Sequence, residues 1–100
     1  MQTGNRLAFT VAWKVREGHT EAAAGIIDRF IPEARKEPGL ELVMVNRSTT
    51  DPSCFLFYEV FTDAAAFEAH QQTPHFKTLI LEDALPLLSS RERAEYKPIG

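Results

Sequence analysis

Apolar and polar residues alternate from Leu7 to Val15. The stretch reads LAFTVAWKV, with Leu7, Phe9, Val11, Trp13 and Val15 separated by Ala8, Thr10, Ala12 and Lys14. A period of two predicts a strand. Glu17-Gly18-His19-Thr20 breaks it, and Ala23, Ile26, Ile27, Phe30, Ile31 and Ala34 then recur at helical spacing, with Thr20 as the expected N-cap. That first helix, kinked by Pro32, is expected to end at Pro38-Gly39, and a second strand to run from about Leu40 to Arg47. The polar cluster from Ser48 to Ser53 leads directly into CFLFYEVF, so strands two and three form an antiparallel hairpin.

Asp63 is placed to cap a second helix running from Ala64 to Gln72. The Thr73-Pro74 step must interrupt it, because Pro74 has no amide hydrogen and biases Thr73 away from helical angles. Thr73 then reads as a fresh N-cap with Pro74 at the first helical position, and a new helix begins at His75. It carries Phe76, Leu79, Ile80 and Leu87 on one face until Pro86 disrupts it. A weak alternation in RAEYKPI predicts a C-terminal strand with Ala94 and Tyr96 inward.

Strand, helix, strand, strand, helix, strand is the order of a split βαβ, ferredoxin-like α+β protomer, an antiparallel sheet with helices on one face. The third strand carries Phe55, Phe57 and Phe61 on one side and Leu56, Tyr58 and Val60 on the other, so neither face reads as solvated. Two helices cover only one side of a small sheet, and a large bare apolar face is an aggregation hazard. A homodimer joined sheet to sheet is the expected solution.

Composition narrows the partners. One hundred residues support one domain with one core, spanning 1–100. The 44% apolar and 25% charged fractions are those of an ordinary soluble globular protein. A formal net charge of -3 leaves no basic stripe for phosphates, so neither nucleic acid nor an anionic membrane is an expected partner. No apolar run approaches the roughly 20 residues of a membrane-spanning helix, and MQTGNRLAF lacks a signal pattern, so the expected location is cytoplasmic. Cys54 is the only cysteine, which excludes an intramolecular disulfide and a cysteine-based metal cluster. It reads as a small buried hydrophobe.

Candidate chemistry is concentrated from Tyr58 to Lys77, YEVFTDAAAFEAHQQTPHFK. Glu59 shares its strand face with three phenylalanines, where a carboxylate is costly unless it is paired. The expected partner is a histidine or Lys77, a pairing that either orients a catalytic imidazole or ties strand to helix. His70 follows Ala66 by four residues and Phe67 by three, near the apolar face of its helix. His75 stands at a helix N-terminus, where the dipole favours the neutral imidazole that a general base needs. A ring hydrogen-bonded to the preceding loop is the competing, structural reading of His75. Trp13, Tyr58, Phe61, Phe67 and Phe76 are candidate walls for an aromatic substrate, with core packing as the alternative for each. Asn46 is a candidate donor to a quinone oxygen or, equally, a plain strand-end residue. His19 reads as solvated. His70, His75 and Glu59 also match the residue types of a two-histidine, one-carboxylate iron site, but the histidine spacing crosses a helix break and no metal is expected.

Three blocks carry a family resemblance: Glu37-Pro38-Gly39, Tyr58-Glu59 followed by an aromatic residue and Asp63, and His70-Gln71-Gln72-Thr73-Pro74-His75-Phe76-Lys77. Over nearly its whole length the chain resembles the antibiotic biosynthesis monooxygenase (ABM) domain family of the dimeric α+β barrel superfamily. The resemblance implies a ferredoxin-like protomer, a homodimer and a pocket between helices and sheet in each protomer. It further implies cofactor-independent oxygenation of a small or polycyclic hydroquinone or phenol by molecular oxygen, with His70 or His75 as base. An imidazole with an ordinary pKa near ~6.5 suits removal of a phenolic proton. Relatives with a similar threonine-proline-histidine block act on a phosphorylated signalling molecule, so acid-base isomerisation of a small carbonyl compound is the alternative. A ligand-binding dimer without turnover is the third reading. Haem degradation is disfavoured, because haem-degrading relatives carry tryptophan where His70 stands and a ligating histidine near Ile80, which this chain lacks.

Overall fold

The two strands richest in bulky apolar residues, β1 (Leu7–Val15) and β3 (Cys54–Phe61), form the middle of the sheet in the computed structural model. It describes residues 4–100, so the first three residues of the N-terminal stretch searched for a leader lie outside the described residues. The edges are β2 (Leu40–Arg47) and β4 (Leu88–Tyr96), giving the order β2-β3-β1-β4 with every pairing antiparallel. The helices are α1 (Thr20–Ala34), α2 (Ala64–Gln72) and α3 (Phe76–Ala84), and they pack on one face. The ferredoxin-like α+β fold is thereby established. Among the described residues, no helix is long and apolar enough to cross a membrane.

Register decides which side chains meet the helices. Phe9 pairs with Glu59, Val11 with Phe57 and Trp13 with Phe55, and these residues turn toward the helical layer. Phe9, Phe30 and Phe61 are fully buried there, with Ala23, Ile26 and Ile27 of α1 packed into the same core. A bulge lies between Leu40 and Leu42 in β2. It adds a residue to one strand and reverses the in-out parity of everything beyond it. Leu40 and Val43 are therefore both buried, whereas Leu42 and Met44 are exposed on the opposite face.

Several boundaries differ from the sequence expectation. Thr20 lies inside α1, and His19 takes the cap position without a side-chain bond. Helix α1 continues past Pro32 but stops at Ala34, short of Pro38. Lys36 N–H to Glu33 O and Glu37 N–H to Ala34 O tighten the exit, and Glu37, preceding a proline, is biased away from helical angles. Strand β4 starts at Leu88, well before the alternation in RAEYKPI, and Ala94 and Tyr96 pair with Thr10 and Ala8 on the face away from the helices. On the helical side β4 presents Arg91 and Arg93, opposite Trp13 and Val11. The Arg93 guanidinium covers the rings of Phe9 and Phe67 at 5.5 and 5.2 Å. A long cationic side chain here does the covering that an apolar one was expected to do. Cys54 is partly rather than fully buried, and its thiol lies 3.4 Å from an Asp51 carboxylate oxygen.

The caps of the second helical region follow the sequence closely. Asp63 accepts from Ala66 N–H at 2.8 Å, and Thr73 Oγ1 accepts from Phe76 N–H at 3.2 Å. Helix α3 is wound as a π-helix and ends in a 3₁₀ turn, Leu85–Leu87, that contains Pro86. Gly39 is a close-approach position, since a Cβ added there would stand 2.3 Å from the Ala66 Cβ of α2. Its carbonyl accepts from Thr62 N–H at 2.9 Å, locking the loop before β2 to the start of α2. Gly39→Ala is therefore expected to destabilise the protein by about 1–3 kcal/mol, the range for overpacking. Urea denaturation checks this, and an unchanged midpoint would show that the approach can relax freely.

Candidate active site

That locked loop delivers Glu37 into the helical layer. His70 arrives from the last turn of α2, and His75 from the first turn beyond the Thr73-Pro74 corner. Thr73 holds the corner, with its hydroxyl donating to His70 O at 2.7 Å and accepting from Phe76 N–H. The two imidazoles converge on one carboxylate. His70 Nδ1 lies 3.0 and 2.9 Å from the two Glu37 oxygens, and His75 Nε2 lies 2.6 Å from Oε2. Side-chain exposures of 2% for His70, 14% for His75 and 11% for Glu37 make this a buried cluster. Phe30 meets both imidazoles edge-on at about 6 Å.

The acceptor chemistry selects the tautomer. An ionised carboxylate only accepts, so His70 Nδ1 and His75 Nε2 must be the donors. Burial pushes the pKa of His70 down, against the opposing pull of Glu37, and so favours the neutral ring. A neutral His70 with its proton on Nδ1 carries its lone pair on Nε2, at the ring edge away from Glu37. That is the geometry of an oriented general base.

His70 also forms part of the wall of a cavity of about 20 Å³ between sheet and helices. Trp13, Phe57 and Glu59 face it from the sheet, and Phe30, Phe76 and Ile80 from the helices. The indole N–H of Trp13 is buried without a hydrogen-bond partner among the described residues. Glu59 is 5% exposed, and its pKa is pushed up to about 7, first by burial and then by the Glu37 charge, against the pull of Arg91 and Arg93. The space suffices for about one water, and a larger molecule fits only if the cavity widens.

The predicted site residues thus divide. His70 and His75 are brought together, and Trp13, Phe76 and Glu59 share the cavity with His70. Glu59 bonds neither histidine, and Lys77, the other expected partner, is exposed. Phe61 packs 5.2 Å from the His70 ring as a core residue, and Phe67 stacks on Phe9 at 4.2 Å without reaching the cavity. Tyr58 and Asn46 pair with Met44 and Leu56 on the opposite face of the sheet, where Asn46 donates to Leu56 O at 3.2 Å. His19 is exposed as expected. Glu37 was missed as the carboxylate that joins the two histidines. Its only signal was the Pro38-Gly39 step, whose glycine permits the loop to press against α2 and bury its carboxylate.

An antiparallel sheet with its helices on one face defines a ferredoxin-like α+β protein, and the His-Glu-His cluster beneath those helices is its candidate site. The profile of the antibiotic biosynthesis monooxygenase family matches residues 7–80, and the chain belongs to that family. Among solved structures, protein SO0527 from Shewanella oneidensis is 26% identical with a TM-score of 0.86, over 92% of this chain and 89% of its own. A Nitrosomonas europaea protein, provisionally assigned as an antibiotic biosynthesis monooxygenase, is 23% identical with a TM-score of 0.90, over 99% of this chain and 94% of its own. The uncharacterized protein sll1783 of Synechocystis sp. is 31% identical over 84 residues, covering 84% of this chain. The chain spans 57% of the length of that relative.

Proposed function

We propose that this protein is a monooxygenase that oxidises a small hydroquinone or phenol with molecular oxygen, using His70 as the base and Glu37 to orient it. The observation that carries this reading is the placement of His70, which bonds Glu37 through one nitrogen while its ring lines an aromatic-walled cavity. Removal of the phenolic proton yields an electron-rich anion able to react with oxygen. One oxygen atom then enters the substrate as a quinone carbonyl, and the other leaves as water with two substrate hydrogens. Neither flavin nor metal is required for this balance. His75 donates to the same carboxylate and acts as a positioning residue.

The protein would act in the cytoplasm as a homodimer. Leu42, Met44, Leu56 and Tyr96 are exposed on the bare face of the sheet, an arrangement that supports a second copy as its cover. Chemical denaturation at several protein concentrations tests the dimer, whose midpoint is expected to rise with concentration, whereas a monomer's stays fixed.

One observation favours a second reading. Glu59 and His70 face the same cavity, as a donor-acceptor pair shuttling a proton in a small carbonyl compound would. Oxygen separates the two. Metal-stripped protein is expected to consume oxygen with a panel of hydroquinones and anthrone-like phenols and to be silent under nitrogen. Turnover that persists anaerobically would replace oxygenation by isomerisation.

A further inference from the structure

Glu37, His70 and His75 have a second competence beyond holding one another. We infer that they form a binding site for a divalent transition metal such as Zn²⁺ or Co²⁺. One ligand atom from each lies within 4.8 Å of the other two. Metal bonds of about 2.0–2.2 Å to nitrogen and oxygen place tetrahedral ligand atoms about 3.4 Å apart. The contacts of 2.9 Å to His70 Nδ1 and 2.6 Å to His75 Nε2 therefore have to open by less than about 1 Å. The imidazole nitrogens need to close by about 1.4 Å at most, starting from within 4.8 Å.

Donor chemistry and surroundings agree with this assignment. Two imidazoles and one carboxylate suit Zn²⁺, Co²⁺, Fe²⁺ and Mn²⁺, and three protein ligands leave a position open. Phe30 packs against both rings from one side, and Thr73 ties the corner that fixes their separation. An apolar shell and braced ligands are what tighten a metal site. The sequence suggested Glu59 as the carboxylate of such a residue set and no metal was expected, whereas the structure groups Glu37 with the two histidines.

Metal at this site reverses the state of His70. A cation bound at Nδ1 requires the other tautomer, in which the Nδ1 proton is lost to solvent and Nε2 takes one up, so the nitrogen away from Glu37 becomes a donor. On the reading of His70 as the base, metal binding is inhibitory, and chelation restores turnover. The metal site itself stands without that reading.

Co²⁺ titration of untagged, chelator-stripped protein tests the proposal, followed by calorimetry, visible absorption and histidine ring NMR. One equivalent is expected to bind, with d–d bands lacking thiolate charge transfer, and to perturb the rings of His70 and His75 while sparing exposed His19. His75→Ala and Glu37→Gln are each expected to weaken binding by roughly 10- to 100-fold, since even outer partners of metal ligands are worth that much. Absence of stoichiometric binding, perturbation centred on His19, or full affinity in both variants would overturn the site. The ring NMR uses unmodified protein, so the test survives a variant that fails to fold. Stoichiometric binding together with metal-dependent turnover would leave the metal site standing and sink the cofactor-free reading.

Discussion

His70→Ala is expected to lower oxygen-dependent turnover by about 10²- to 10⁴-fold, the usual contribution of a positioned general base. His70→Gln should do the same with less disturbance of the fold, because its amide can still donate to Glu37 but cannot accept a substrate proton. Glu37→Gln is expected to be milder, at roughly 10- to 100-fold, as for other partners that only orient an imidazole. Its neutral amide no longer accepts from both rings and mixes the tautomers of His70. The effect should fall on kcat rather than KM, because Glu37 touches the base and not the substrate. Wild-type kcat in His70→Gln would remove His70 from the mechanism and return the role to Glu59 or to an unidentified group.

Glu59 produces the second large effect, on stability against pH. Its folded pKa of about 7 lies above the ordinary value of 4.5, so the folded protein retains a proton that the unfolded chain has released. The stabilisation is fully present below pH 4.5, declines as pH rises toward about 7, and is gone above it. The full span corresponds to roughly 3 kcal/mol. Glu37, Arg91, Arg93 and His70 surround the carboxylate, and His70 contributes a slope of opposite sign because burial lowers its pKa. The difference between wild type and Glu59→Gln therefore isolates the carboxylate. Urea midpoints from pH 4 to 8 are expected to show the variant gaining on wild type as pH rises, and parallel profiles would mean that Glu59 is solvated.

The same residues show what a one-dimensional pattern conveys. Alternation placed β1 and β3 to the residue because both strands are central and one face of each is packed by the helices. Asp63, Thr73 and Pro74 were legible because capping and proline chemistry act within four residues. Tyr58 could not share a wall with Glu59 and Phe61, since adjacent strand residues point to opposite faces. Asn46 has the same parity as Leu40 and would face the helices in a regular strand. The bulge between Leu40 and Leu42 reverses it, and no turn residue announces that bulge. Arg91 and Arg93 face the helices on an edge strand, where the Arg93 guanidinium caps the stacked rings of Phe9 and Phe67. Glu37 depends on a contact made across the fold, between Gly39 and Ala66, which no local pattern predicts.

The central claim is that Glu37 holds His70 as a neutral base with its proton on Nδ1. Long-range ¹H–¹⁵N correlation spectra of the metal-free protein at pH 7 read that state directly. The account predicts a protonated Nδ1 and an unprotonated Nε2 for His70, both lost as a single population in Glu37→Gln. A proton on Nε2, or a fully protonated ring at that pH, would contradict it.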